Sequence, residues 1–200
     1  MTYGSSPAIR ILGYRSDWPA QFRRLARGIW QAAPAASIIH HIGSTAVPGL
    51  AAKDVIDIQL TVGSLAEVDS SALRAAGFEP VHGLADHAPP GARLDAADLA
   101  KLFFRSTTRP ANLHVREHGR FNQRYALLCR DFLVSHPDAA KAYETIKRRL
   151  AARFPNDVDA YYDIKDPVFD LIMAGAEEWA ARTAWREPKP DFSGADFSGE

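Results

Sequence analysis

The stretch HHIGSTAVPGLAAKDVIDIQLTV, residues 40–62, decides how the chain is read. Its second part, 54–62, alternates cleanly. Ile56, Ile58, Leu60 and Val62 share one face, while Val55, Asp57, Gln59 and Thr61 share the other. That alternation predicts a β-strand with an apolar side and a polar side. Residues 37–42 (SIIHHI) read as a preceding strand, and 43–53 as a loop of small residues. A strand ending in Gly-Ser leaves the next backbone N–H groups free, and Gly43 lets a phosphate approach the main chain closely. Ser44 and Thr45 add hydroxyl donors, Pro48-Gly49 turns the chain back, and Lys53 meets a phosphate as a point charge. Asp57 then projects from the polar face of its strand. Mg²⁺ takes one or two carboxylates plus phosphate oxygens, so a carboxylate beside such a loop suits a metal-bound triphosphate. Each part also has an ordinary reading: Gly-Ser-Thr is common in loops, Pro-Gly in turns, and Asp57 fits a solvated strand position.

Outward from this stretch, Ile9, Ile11 and Leu12 suggest an extended entry. Asp17 reads as the N-cap of a helix carrying Trp18, Phe22, Leu25 and Ile29, which Pro34 ends. Ser64 with Glu67 forms a capping-box pattern for a helix stopping at Gly77, and 78–82 (FEPVH) reads as a strand. Residues 83–98 are loop-like. The runs LFFRS (102–106) and NLHVRE (112–117) predict a hairpin. From Phe121 the pattern turns helical, over 121–135, 137–153, 156–163 and 166–182, with Asp166-Pro167 as an N-cap and first helical residue. The fold class expected is α+β: a mixed β-sheet with flanking helices and a helical C-terminal half. One domain is expected over 1–185, sheet-rich over 1–120 and helical over 121–185. Residues 186–200, with DFSG repeated at 191–194 and 196–199, are expected to form a flexible, removable tail.

Composition narrows the function. Lys plus Arg and Asp plus Glu are equal at 24 each, which provides no basic field for nucleic acid. No stretch approaches the ~20 apolar residues of a membrane span, and the N-terminus lacks a secretory pattern. Cys129 is the single cysteine, so no internal disulfide forms. A cytoplasmic protein is expected.

The run from His41 to Lys53, closed by Ile56-Asp57-Ile58, resembles the signature of the GrpB family almost residue for residue. Weaker similarity extends over about 9–175. Tyr14, Trp18 and Phe22 resemble its opening helix, and Phe103-Phe104-Arg105 with Leu113-His114-Val115 its hairpin. Arg130-Asp131-Phe132-Leu133 resembles its central helix. Tyr143 and Lys147, then Tyr161, Lys165 and Phe169, resemble its C-terminal helices. The resemblance implies a nucleotidyltransferase-like fold, in which a Gly-Ser precedes a strand with two carboxylates that hold Mg²⁺. GrpB-type domains also occur fused to dephospho-CoA kinases, which implies a nucleotide or CoA-related ligand. The sequence departs from the transferase pattern at Gln59, where the second carboxylate would stand, and the later strand offers Asn112, His114 and Arg116 on that face. Two ions ~3.5–4 Å apart need several carboxylates, so two-metal catalysis is not expected.

Two functions follow. One is a metal-assisted transferase using a nucleoside triphosphate and a small-molecule acceptor. There Gly43, Ser44, Thr45, Lys53, Arg130, Tyr161 and Lys165 hold the substrate, with His41 and Gln59 beside them; Asp57 holds Mg²⁺ and His114 activates the acceptor. The other is a non-catalytic module for a nucleotide or CoA-related ligand, which Gln59 favours. Several residues keep a second reading. His114 fits a proton acceptor or a histidine bonded within the sheet. Arg130 fits a cleft-facing grip or a buried ion pair with Asp131. Tyr161 and Lys165 fit a ligand pair or a packed ring beside a snorkelling amine.

Overall fold

A computed structural model of the chain describes residues 8–84 and 86–197. At its centre lies a five-stranded sheet in the order β1-β2-β5-β4-β3. The strands are β1 (Ile38–Ile42), β2 (Ile56–Val62), β3 (Phe78–Pro80), β4 (Leu102–Ser106) and β5 (Ala111–Glu117). β2 and β5 run parallel, and the other three pairings are antiparallel. Helix α1 (Trp18–Ala32) precedes the sheet, while α2 (Ser70–Ala75) and α3 (Ala96–Leu99) lie in the long connection from β2 to β5. Helices α4 (Phe121–Ser135), α5 (Pro137–Arg153) and α6 (Val158–Thr183) make up the second half. This is the expected α+β class, a mixed sheet with flanking helices and a helical C-terminal half.

Periodicity explains the two cores. Trp18, Phe22, Ala26 and Ile29 form one stripe of α1 and pack on Ile56, Ile58 and Leu60 of β2 and Leu113 and Val115 of β5. Burial of each large apolar side chain is worth about 1.5–3 kcal/mol. The second core joins α4, α5 and α6 through Leu128, Leu133, Tyr143, Ile172 and Met173, and it also takes in Val47 and Leu50. The loop after β1 is therefore anchored in the helical half, which brings Ser44 against α5. No helix of the described residues is long and apolar enough to cross a membrane.

Four local expectations are corrected. Ser64 caps a single 3-10 turn, Leu65–Glu67, because Asp69 caps α2 afresh by accepting from Ser71 N. The segment 83–98 runs into α3, which starts at Ala96 behind a capping box between Asp95 and Asp98. Helix α6 runs unbroken through Pro167. That proline removes one N–H, but buried Tyr161, Ile172, Met173 and Ala176 hold both halves of the helix in place. Last, the segment 187–192 does not lie loose. β1 is an edge strand, whose outer N–H and C=O groups need partners. Asp191 N donates to Ile39 O at 3.0 Å, and Phe192, 1% exposed, joins the α1 core. A removable tail from 186 does not fit this packing.

Candidate functional site

Gly43 turns the chain out of β1 with φ 71° and ψ −170°, a conformation that strains any side chain. A Cβ at that position would stand 2.6 Å from Asp57 Oδ2. The glycine thus both makes the turn and admits the carboxylate. Register places Asp57 opposite Ile42 of β1 and beside Asn112 of β5, with Gln59 beside His114. Asn112 Nδ2 donates to Asp57 Oδ1 at 2.8 Å, and His114 Nε2 lies 3.8 Å from the same oxygen. Burial would raise the Asp57 carboxyl, but the His114 ring, the Asn112 amide and the Lys53 charge outweigh it and hold it below its ordinary range. It is an anion. Burial, against the pull of Asp57, lowers His114 and keeps its ring neutral.

Three lysines meet at the loop. Lys147 of α5 donates to Ser44 Oγ at 2.9 Å and to Ala51 O. Lys53 donates to the Tyr162 hydroxyl and stands 4.5 Å from that ring's centroid. Lys165 stands 5.1 Å from the same ring and 4.6 Å from Phe169, with Asp166 at 3.1 Å. Tyr162 therefore spaces two ammonium groups across its aromatic ring, a favourable cation–π arrangement. Burial lowers Lys53. Lys147 is lowered to about 7, first by burial and then by the Lys165 charge.

A second polar chain runs behind Asp57. Gln59, fully buried, accepts from Arg116 Nη1 at 2.6 Å and donates to Gln123 O at 3.2 Å. Arg116 Nη2 lies 3.3 Å from His114 Nδ1, and its Nε donates to Asp86 Oδ2 at 2.8 Å. Asp86 also accepts from Lys101 at 2.6 Å. Burial pushes its carboxyl up, yet Arg116 and Lys101 hold it well below the usual carboxylate range. The uncharged Gln59 is therefore fully committed to an arginine and a carbonyl.

Of the residues singled out in the sequence, Gly43, Ser44, Lys53, Asp57, His114 and Lys165 gather around the loop. Gln59 sits one pleat deeper. His41 and Thr45 turn inward, bonded to each other at 2.9 Å, with His41 stacked on Phe22 at 4.7 Å. Burial drops His41 to about 4. Arg130 does not reach the group. It donates to His41 O at 2.8 Å and Asp191 at 2.6 Å, and pairs with Asp131. Tyr161 is fully buried with Leu150 and Ala151, and its ring centroid lies 5.6 Å from Lys53 Nζ, while its neighbour Tyr162 stands closer, at 4.5 Å. Sequence reasoning passed over Tyr162 and gave Lys147 no role. An amine on a helix face otherwise packed into the core was the available signal for Lys147. Among the described residues no three of His, Cys, Asp or Glu converge as a metal cluster. A cavity of about 540 Å³ lined by Gln21, Arg24, Asp54, Phe78 and Arg109 lies against α1 and includes none of these residues.

Comparison with known proteins adds an independent line. A family model described as GrpB protein matches residues 8–175. A dephospho-CoA kinase of Mycolicibacterium paratuberculosis is 38% identical over 196 residues, covering 89% of this chain and 48% of that protein. The chain thus spans about half the length of the curated dephospho-CoA kinases it matches. UPF0157 protein SCO7215 of Streptomyces coelicolor is 34% identical over 170 residues, 84% of each chain. The crystal structure of conserved protein GrpB from Enterococcus faecalis overlays with a TM-score of 0.70 at 26% identity, covering 85% of this chain and 99% of that one.

Proposed function

Since this chain belongs to the GrpB family, we propose that its Gly43–Asp57 site takes a nucleoside triphosphate with Mg²⁺ and transfers the nucleotidyl group to a small-molecule acceptor in the cytoplasm. One observation carries this reading: Lys147 bonds Ser44, Lys165 and Lys53 lie near enough for their charges to act on its amine, and the Asp57 carboxylate stands against Gly43. A cluster of positive charge beside one anion suits a phosphate chain carrying a divalent cation. Asp57 is the residue that would hold Mg²⁺, and the phosphate oxygens would complete the shell. The donor set fits one ion, since Gln59 is bonded elsewhere. When bound, Mg²⁺ offsets phosphate charge and polarises the phosphorus–oxygen bonds. Lys53 and Lys165 orient the phosphates, and neutral His114, whose Nδ1 accepts from Arg116 Nη2, turns its Nε2–H toward Asp57 Oδ1 3.8 Å away and steadies that carboxylate.

A second reading is a non-catalytic module for a nucleotide or CoA-related ligand. The commitment of Gln59 to Arg116 favours it, because no second carboxylate stands where a transferase pattern has one. The dephospho-CoA kinase name of several relatives points to the same ligand class. Calorimetric titration of a non-hydrolysable nucleoside triphosphate, with and without Mg²⁺, separates the two. For the transferase, affinity rises at least about tenfold with Mg²⁺, a 1.4 kcal/mol effect, and Asp57→Asn removes the gain. Nucleotide binding indifferent to both would decide for the module. No binding under any condition would refute both.

A further inference from the structure

The environment of Lys147 differs from that of an ordinary ion-pairing lysine. The residue is 2% exposed, and its two hydrogen-bond acceptors, Ser44 Oγ and Ala51 O, are uncharged. The charged and titratable groups facing it come from three elements. On its own helix stand Tyr143, whose ring centroid is 4.5 Å away, and Glu144 and Arg148, which pair with each other at 2.8 Å. From α6 come Tyr161, Tyr162, Lys165 and its partner Asp166, and from the loop comes Lys53. Tyr143 and Tyr161 are both raised by burial, so neither phenol supplies negative charge. Glu144 and Asp166 each have a cationic partner of their own. Within this cluster the cations outnumber the anions, and the deficit lies at Ser44.

We propose that the Lys147–Lys53–Lys165 cluster at Ser44 is a phosphate-type anion site whose occupation is coupled to proton uptake by Lys147. The inference deepens the functional reading above and rests on it for the identity of the anion, but not for the coupling. The geometry gives the reason. Three ammonium groups crowd one another in a poorly hydrated place, so the cheapest relief in the absence of an anion is for the most buried one to lose its proton. Lys147 is lowered to about 7 by burial and by Lys165, with Glu144 opposing. An entering dianion reverses the electrostatic sign, restores the ammonium and turns a hydrogen-bond donor toward itself. The proton comes from solvent and goes to Nζ; no other bond changes. Above the unliganded value of about 7, affinity for a fully ionised anion therefore falls with pH, by up to about tenfold per pH unit.

Sulfate is the probe, because it stays doubly charged across this range and contributes no proton of its own. The full-length protein is titrated with sodium sulfate at about pH 8, at constant ionic strength, in two buffers of different ionisation enthalpy. Wild-type protein is expected to take up roughly 0.5–1 proton per sulfate, read from the difference in heat, with affinity rising toward pH ~6. Lys147→Arg, which stays protonated at every working pH, is expected to bind sulfate with no buffer-dependent heat. Lys165→Gln is expected to lessen proton uptake by removing the neighbouring charge. Absence of saturable sulfate binding, or equal heats in both buffers for the wild type, overturns the proposal. So does uptake undiminished in Lys147→Arg. A site that binds sulfate with proton uptake but ignores nucleotides would sink the nucleotide reading and leave the coupling intact. Mg²⁺-dependent nucleotide binding with no uptake of protons by sulfate would do the reverse.

Discussion

Ile56, Ile58, Leu60 and Val62 on one face of β2, and Gln59 and Thr61 on the other, are all exposed by 2% or less. Apart from half-buried Asp57 at the head of the polar face, the two faces are equally dry, and they are held by different forces. The apolar face meets the stripe of α1, where contact is non-directional and a methylene can shift slightly. The polar face meets Arg116, Gln123, His114 and Asp86 through fixed donor–acceptor pairs. Loss of a partner there leaves a buried polar group unsatisfied, which costs more than the bond itself contributed. The apolar face fixes which elements come together. The polar face fixes where Asp57 points.

The comparison breaks most sharply at Arg116. Its replacement by Met leaves Gln59 Oε1 and His114 Nδ1 without that donor and Asp86 with Lys101 and Asn122 alone. A loss of about 3–5 kcal/mol is expected in urea denaturation, at least equal to the about 2–5 kcal/mol of Leu60→Ala across the strand. A loss below about 1 kcal/mol for Arg116→Met would mean that water already enters the polar face, and the two faces would differ in hydration as well as in bonding.

Acid bears on both faces through histidine, since His41 stacks on Phe22 on the apolar side while His40 and His114 stand beside Gln59 on the polar one. His41 is held neutral, its value lowered from 6.5 to about 4 by burial. A histidine lowered in the folded state contributes stability above its unfolded value of 6.5, and that stability drains away as pH falls from 6.5 toward 4. At 1.36 kcal/mol per unit, the His41 share is up to about 3 kcal/mol. His40 and His114, also lowered by burial, add with the same sign. Denaturation midpoints are therefore expected to decline between about pH 6.5 and pH 4.5. His41→Gln should flatten that slope. A slope unchanged in the variant would place the acid sensitivity elsewhere.

The segment after Arg186 tests the edge of the same sheet. Phe192 covers β1 from the apolar side while Asp191 reaches Arg130 and His41 N on the polar one. A chain ending at Arg186 is expected to lose about 1.5–3 kcal/mol from the phenylalanine alone, seen as a lower thermal midpoint. An unchanged midpoint would return these residues to the status of a removable tail.

What the sequence made legible follows from distance along the chain. The alternation of β2, the glycine turn and the helices 121–135 and 137–153 are local patterns; the bounds of the two helices match the structure, and β2 starts two residues later than its alternation. Gly43, Ser44, Lys53 and Asp57 lie within one loop and strand, so their proximity was implied by the motif. Lys147 meets Ser44 across 103 positions and Asp191 meets His41 across 150. No periodicity encodes such pairings. Arg130 shows the other failure: its position in the central helix was read correctly, but a guanidinium accommodates a carbonyl and two carboxylates as readily as a ligand, and the acceptors came from segments that local pattern could not place.

The smallest effect is expected at Gln59, and it bears most directly on whether this face could hold more metal. By residue type alone, a carboxylate at Gln59 would restore a second metal ligand two residues from Asp57. The structure argues otherwise. Gln59 Oε1 already accepts from Arg116, so in Gln59→Glu the new charge forms an ion pair with that guanidinium instead of facing a cation. The lost donor bond to Gln123 O offsets part of the gain. Stability should change by less than about 1 kcal/mol, and Mg²⁺ affinity, measured calorimetrically with nucleotide present, should stay within about twofold, under 0.5 kcal/mol. The double substitution Gln59→Glu with Arg116→Gln frees the carboxylate from its cation, and only there should Mg²⁺ bind more tightly. If the single substitution already raises Mg²⁺ affinity by tenfold or more, Arg116 yields its place easily. The polar face would then be an adjustable ligand set, no longer fixed in the sense that separates it from the apolar one.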